Sequence, residues 1–240
     1  MTERCSFRFT NDVHEVRKIF KRYFYDGYKD GNGNIEILGA SFIADEDTIF
    51  GEPNEKYIQA EIDWYKSQSL NINDLGELYG KVPVIWKEHA ANTKGEINSN
   101  YGYLVYNWNN DSQFEYVVRE LKDNPNSRRA IMIYTNPNMH TQYKKDGKND
   151  FVCTNTVSYY IKDEYLKCVV QMRSNDAIFG YINDLAWQKF VLQHLCDELN
   201  LLPGTIFWQA QSLHIYPRHF DLIEEWDWDN NKETKVMRSG

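Results

Sequence analysis

The sequence predicts an α+β domain. Three observations carry that expectation. Segments with helical periodicity stand before, between and after a group of strand-like segments. The strand-like segments are joined by short polar turns, which suits antiparallel neighbours. The chain is 240 residues long with 42% hydrophobic and 26% charged content, enough for one sizeable core and too apolar for global disorder. With no internal repeat and no low-complexity linker, a single domain over 1–240 is expected.

Each element follows from local chemistry. Asp30, Gly31, Asn32, Gly33 and Asn34 form a strong turn signal ahead of a short strand over 35–38. Residues 54–66 read as a helix capped by Asn54. A second helix is predicted over 114–122, with Asp111 or Ser112 as cap, and residues 123–126 break it. A strand rich in Ile, Met and Tyr follows over 129–135. The next strand, 151–161, places Phe151, Cys153, Val157, Tyr159 and Ile161 on one face. Its partner is expected over 166–172, with residues 162–164 as the turn. The clearest helix spans 185–199, with Leu185, Leu192, Leu195 and Leu199 in helical register. A last strand is predicted over 205–215. Beyond Glu224 the tail is Trp-rich, then acidic and polar, and reads as a loosely held end.

Composition excludes several function classes. The balance of 27 Lys+Arg against 35 Asp+Glu gives −8, which argues against direct nucleic-acid binding. A small phosphate ligand held by a few arginines stays compatible with it. No apolar run approaches the roughly 20 residues of a membrane helix. The start, residues 1–6, has neither the apolar core of a signal peptide nor a myristoylation glycine, so the cytoplasm is the expected location. The four cysteines, at 5, 153, 168 and 196, show no metal-pair spacing and are expected to be free thiols. His214 and His219 are poorly spaced for a metal, and no metal site is expected. No dinucleotide-binding, phosphate-loop or zinc-protease motif occurs.

A few residues fit their surroundings badly. Glu61 shares a helical stripe with Tyr57, Ile58, Ile62 and Tyr65. A carboxylate buried there would hold its proton tightly, as a general acid/base near neutral pH requires; a structural Glu bonded to a Tyr hydroxyl is the plainer alternative. Cys153 precedes three polar residues, Thr154, Asn155 and Thr156. An exposed thiol in a polar, arginine-flanked cleft would ionise readily and act as a nucleophile; otherwise it is a small core side chain. Arg128 and Arg129 point to opposite faces of any strand, so both could serve one ligand only at a strand edge or across a subunit boundary. Arg173 with Ser174 offers a donor fork and a hydroxyl suited to phosphate; surface ion pairing is the alternative for all three arginines. Asp184 stands where the last helix is expected to begin, so an N-cap is its first explanation.

Taken in order, these residues resemble the thymidylate synthase superfamily, and within it the branch that hydroxymethylates deoxycytidylate in T-even-like bacteriophages. The resemblance covers about residues 29 to 224. Glu61, Ile62, Asp63, Trp64 and Tyr65 are similar to the helix segment that carries the family's acid/base. Residues 123–129 resemble the turn whose arginines reach the nucleotide phosphate of the opposite subunit, which implies a homodimer, packed through its sheets, with Arg128 and Arg129 shared. Cys153 falls on the nucleophile. Arg173, Ser174, Asn175 and Asp176 resemble the motif in which Arg and Ser hold phosphate and Asp meets folate. Gly180 and Asp184 follow, with Asp where thymidylate synthases have Asn. Residues 212–216 resemble the stretch holding the deoxyribose 3′-hydroxyl, which implicates His214 and Tyr216. Lys29 takes the place of a phosphate-binding Arg, Trp86 that of the Trp packed on folate, and Tyr101 that of the phenol in the proton-relay network.

The resemblance implies a mixed sheet flanked by helices and one catalytic domain. It implies dCMP and 5,10-methylenetetrahydrofolate as substrates, without a metal. It further implies the cytoplasm of an infected bacterial host, with other viral nucleotide-synthesis enzymes as partners. Two departures stand out: Thr154 replaces the His that follows the nucleophile in thymidylate synthases, and the end, residues 237–240, lacks their apolar closing segment. Asp184 bears on the base. Cytosine offers an acceptor at ring nitrogen 3 and an amino donor at position 4, the reverse of uracil; a protonated carboxyl answers both, as does an ionised carboxylate if the ring nitrogen carries the proton, whereas Asn answers uracil. The competing expectations are a dUMP hydroxymethylase or a methylating thymidylate synthase, and, outside catalysis, an inactive nucleotide-binding subunit of a DNA-precursor complex.

Overall fold

The computed structural model describes residues 11–228 and 232–233. The start, Cys5, and the end at 237–240 lie outside the described residues, as does most of the polar tail.

Helix α1 (Val13–Tyr25) is capped by Asp12, whose side chain accepts from the Glu15 amide. In the turn that follows, Asp30 Oδ1 accepts from the amides of Asn32 and Asn34 at 2.7 and 2.9 Å, and Gly33 takes φ +82°, where a side chain would be strained. The turn delivers β1 (Ile35–Ile43), which continues well past the expected 35–38. Asn54 caps α2 (Glu55–Ser67) as its position predicts, accepting from the Tyr57 amide. Three short helices follow: α3 (Ile72–Tyr79), α4 (Val84–His89) and α5 (Tyr101–Tyr106). Ser112, the second of the two candidate caps, starts α6 (Gln113–Asp123). Strand β2 (Ile131–Ile133) is shorter than 129–135 because Arg128 and Arg129 stay in the preceding turn. After α7 (Met139–Gln142) come β3 (Thr154–Lys162), β4 (Tyr165–Met172) and the two-residue β5 (Asn175–Asp176).

The long helix α8 (Phe179–Leu199) begins earlier than expected, with Ile178 as its cap residue. Asp184 is therefore inside the helix and is not its N-cap. Gly180, Asn183 and Asp184 are weak helix formers, but Tyr181, Ile182 and Leu185 are buried around them, and that packing overrides propensity. Strand β6 (Leu202–Ile215), α9 (Asp221–Glu224) and a small ribbon of β7 (Trp226–Asp227) with β8 (Lys232–Glu233) complete the described chain. The start of the tail is not loose: Trp226 is buried, and Arg17 stacks on its ring at 4.5 Å.

The six-stranded sheet has the order β1-β6-β4-β3-β2, with β5 beside β6. It is mixed, since β4 and β6 are parallel while the β1–β6, β3–β4 and β2–β3 pairs are antiparallel. This is the α+β architecture expected, a mixed sheet flanked by helices. Trp64, Trp187 and Trp208 are fully buried in the core. Helix α2 meets α5 at Gly102, where an added Cβ would come 1.7 Å from the Tyr65 carbonyl oxygen, so only glycine permits the approach. On the sheet's other face, Ile131, Ile133 and Leu38 are exposed. There Thr156 donates to Gln171 at 2.9 Å, and Gln171 donates to Gln209 at 3.0 Å, making a polar ladder across three strands.

Candidate active site

Cys153 lies just before β3 rather than within a strand. A register shift between Thr154 and Thr156 breaks the predicted alternation, so Thr154 and Val157 are both buried. The segment leading to Cys153 is pinned by Asp150, whose carboxylate accepts from the Asn98 and Ser99 amides at 2.6 and 2.7 Å. From the end of β4, Arg173 donates to the carbonyls of Val152 and Phe151 at 2.8 and 2.6 Å and brings Nη2 within 3.5 Å of the Cys153 sulfur. It also stacks on the Phe151 ring at 4.8 Å.

The thiol is half-buried, and burial pushes it up to about 11, with Arg173 opposing and Asp184 and Asp150 adding to the rise. This corrects the expectation of a readily ionised, exposed thiol. Arg173 spends two of its donors on backbone carbonyls, and two carboxyl groups lie near enough to cancel part of its field.

Asp184 projects from the second turn of α8. Its Oδ2 accepts from Asn175 Nδ2 at 2.9 Å, and the Tyr101 hydroxyl also bonds to its carboxyl. Asn175 is oriented by Trp208, whose indole N–H donates to Asn175 Oδ1 at 3.2 Å. Because that indole can only donate, the Asn amide must face Asp184. Burial first, then the charge of Glu61, holds the Asp184 carboxyl well above the usual carboxylate range. Tyr101 bridges to Thr154 as well, tying this acid to the strand that starts beside Cys153.

Glu61, on α2, is 5% exposed. Burial raises it to about 7, against the lowering effect of bonds from Tyr57 and Trp86. Tyr57 donates to Glu61 Oε1 at 2.6 Å, and Trp86 Nε1 donates to the Tyr57 hydroxyl at 3.0 Å. The buried acid and the Tyr-bonded Glu, alternatives in the sequence, thus coexist.

The remaining residues divide. His214 and Tyr216 stack edge to face at 4.9 Å, and the Tyr216 phenol feels the charges of Asp176, Cys153 and Arg173. Ser174 is half-buried beside Arg173. Asp176 Oδ1 accepts from the Ile178 amide at 3.0 Å. A Cβ at Gly180 would come 3.1 Å from Asp176 Cβ and 3.2 Å from Asn175 Nδ2. By contrast, Lys29 is exposed over the Phe220 ring. Arg128 and Arg129 are exposed before β2, and Arg129 is bonded to Glu120 of α6 at 3.1 Å. Tyr57, Asn175 and Asp150 were not singled out by the sequence. Their only signals were position: one helical turn before Glu61, one residue after Ser174, and three before Cys153. A surface groove of about 730 Å³ lies elsewhere, around Tyr165, Lys167, Leu192 and Pro203. Among the described residues no group of three His, Cys, Asp or Glu is placed to hold a metal, and none of their helices is long and apolar enough to cross a membrane.

A mixed sheet backed by one long buried helix, with a thiol, an arginine and two buried acids between them, is the architecture of the thymidylate synthase fold. The crystal structure of thymidylate synthase from T4 phage superposes on it with a TM-score of 0.68, covering 86% of this chain and 78% of that one at 23% identity. The thymidylate synthase family profile matches residues 52–233, and the chain belongs to that family. It is 49% identical over 217 residues to the deoxycytidylate 5-hydroxymethyltransferase of Enterobacteria phage T2, covering 88% of this chain and 86% of the relative. It is 50% identical over 205 residues to the enzyme of the same name from phage T4, covering 82% of each. A thymidylate synthase of Francisella philomiragia is 27% identical over 226 residues.

Proposed function

We propose that this chain is a folate-dependent transferase that adds a one-carbon unit and water to carbon 5 of dCMP, giving 5-hydroxymethyl-dCMP. The observation that carries the reading is the state of Asp184. Its carboxyl is buried beside Glu61, and both burial and that charge raise it well above the usual carboxylate range, which favours the protonated form. A protonated carboxyl donates to cytosine ring nitrogen 3 and accepts from the amino group; it cannot satisfy uracil's N–H and carbonyl equally well. The names of the two phage relatives agree with this chemistry.

In this reading Cys153 loses its proton when the nucleotide binds. Its sulfur bonds to carbon 6 of the pyrimidine, and the electron pair displaced from the ring double bond makes carbon 5 nucleophilic. The folate co-substrate, 5,10-methylenetetrahydrofolate, would supply the methylene carbon that becomes bonded to carbon 5, its five-membered ring opening at one carbon–nitrogen bond with the electron pair kept by nitrogen. Loss of the carbon 5 proton then leaves an exocyclic methylene as tetrahydrofolate departs. Glu61, poised near neutrality, orients and deprotonates the water that adds to this methylene, with Tyr101 in the relay. As oxygen bonds to the methylene, the carbon–sulfur bond breaks and Cys153 leaves with its electron pair, restoring the ring. Arg173, Ser174 and Lys29 hold the 5′-phosphate together with Arg128 and Arg129 of a second subunit; His214 and Tyr216 hold the 3′-hydroxyl. The folate ring system fits beside Trp86, half-buried on α4 near exposed Val84 and Ile85, and near Gly180 and Asp176.

A homodimer sharing its arginines is part of the proposal, joined through the sheet face that exposes Ile131, Ile133 and Leu38. So is work in the cytoplasm of an infected bacterium beside other nucleotide-synthesis enzymes. Release of tritium from carbon 5 of labelled dCMP, with and without methylenetetrahydrofolate, tests the reading. Folate-stimulated release with 5-hydroxymethyl-dCMP as product is expected, and Asp184→Asn should turn preference toward dUMP. Binding of dCMP without release would make the chain a nucleotide-binding subunit; dihydrofolate as co-product would indicate methylation.

A further inference from the structure

We infer that Tyr57 is a positioning residue for Glu61, coupling the acid/base to the Trp86 wall through a one-way hydrogen-bond chain. The inference rests on the reading of Glu61 as the group that handles the water. Its direction follows from donor chemistry. The Trp86 indole nitrogen can only donate, so at 3.0 Å the Tyr57 oxygen must accept from it. The single phenolic proton is then committed to Glu61 Oε1 at 2.6 Å. That oxygen always receives a hydrogen bond from the phenol. A helical spacing of four residues puts Tyr57 directly under Glu61. Trp86 comes from α4, so the chain joins two elements that line the same site.

Removing the phenol oxygen has two consequences. Glu61 loses one of the two bonds that favour its ionised form, and the Trp86 N–H, shared between the phenol and the carboxyl, is left to the carboxyl alone. The other titratable groups felt around this acid are Tyr65 on the same helix and Asp184 on α8. None of these depends on Tyr57 for its own partner: Asp184 keeps Asn175 and Tyr101. A substitution at 57 therefore acts on Glu61 without dismantling the base-reading acid.

The variant is Tyr57→Phe, which keeps the ring and its edge contact with Tyr79 at 5.2 Å. Carboxyl infrared difference spectra of the free protein, with Glu61→Gln as the blank, follow the titration of Glu61 directly. The midpoint should rise by about one pH unit, the size expected for losing one bond to a charged acceptor. The acid limb of the kcat profile with dCMP should move by the same amount, so that loss of activity is largest at low pH and shrinks in alkaline buffer. Calorimetric dCMP binding should match the parent and certifies the fold. An unmoved infrared midpoint overturns the coupling. So does a pH-independent fall in kcat with an unmoved midpoint, which marks Tyr57 as merely structural. A shifted midpoint in a protein that fails to turn over dCMP would instead sustain the coupling and sink the proposed reaction.

Discussion

At the scale of single residues, the site is a set of acids and a thiol held away from their solution behaviour by burial. Cys153 illustrates the sign. Its pKa is raised, so at neutral pH the free protein holds a thiol and gains the thiolate only as pH climbs. Alkylation of Cys153 by iodoacetamide should therefore accelerate steadily with pH up to about 11, with no plateau near neutrality. A plateau reached below pH 8 would mean that Arg173 dominates after all. Cys153→Ser should lower turnover by about 10,000-fold or more while leaving dCMP binding intact. Much of this was legible beforehand. Glu61 betrayed itself as a charge on an apolar stripe, and Cys153 as a thiol before three polar residues. A Tyr hydroxyl bonded to Glu61 was among the readings of the stripe, but whether Tyr57 or Tyr65 supplies it was hidden until the helix was packed. The direction of the Cys153 shift was hidden because it depends first on burial and then on Asp184 and Asp150, all set only by folding.

At the scale of elements, caps and turns were the most readable features, because one side chain decides each. Asn54 caps α2, and Asp30 closes the turn before β1, as their chemistry demands. Lengths were less readable. Strand β1 and helix α8 both run further than propensity suggests, since their extensions are stabilised by partners distant in sequence. The bulge at the start of β3 left no mark in the alternation that predicted a continuous strand. The contact between α2 and α5 is the tightest of these joints. Gly102→Ala would drive a Cβ into the Tyr65 carbonyl, and overpacking against backbone should cost about 3 kcal/mol. Urea unfolding measures this; a change below about 1 kcal/mol would mean that α5 can slide outward freely.

At the scale of the whole molecule, the resemblance carried the most, since no local pattern assigns the order of a mixed sheet. The parallel pairing of β4 with β6 joins segments separated by the whole of α8, and only their burial reveals it. The proposed sharing of sites between subunits makes a prediction that monomer chemistry does not. Inactive Cys153→Ser protein mixed with Arg128→Ala protein should recover about one quarter of parental activity by statistical exchange of subunits. A mixture no more active than its two components would place Arg128 outside the neighbouring site. The setting of Asp184 has a broader consequence. It is carried on a rod wedged along most of its length into the interior, with an asparagine and a tyrosine already aimed at it. Exchanging its acid for an amide replaces one oxygen by one nitrogen and leaves the scaffold unmoved. In the genetic code that exchange is a single-nucleotide event, so under the proposed reading of the base the choice between two pyrimidines sits one mutational step apart.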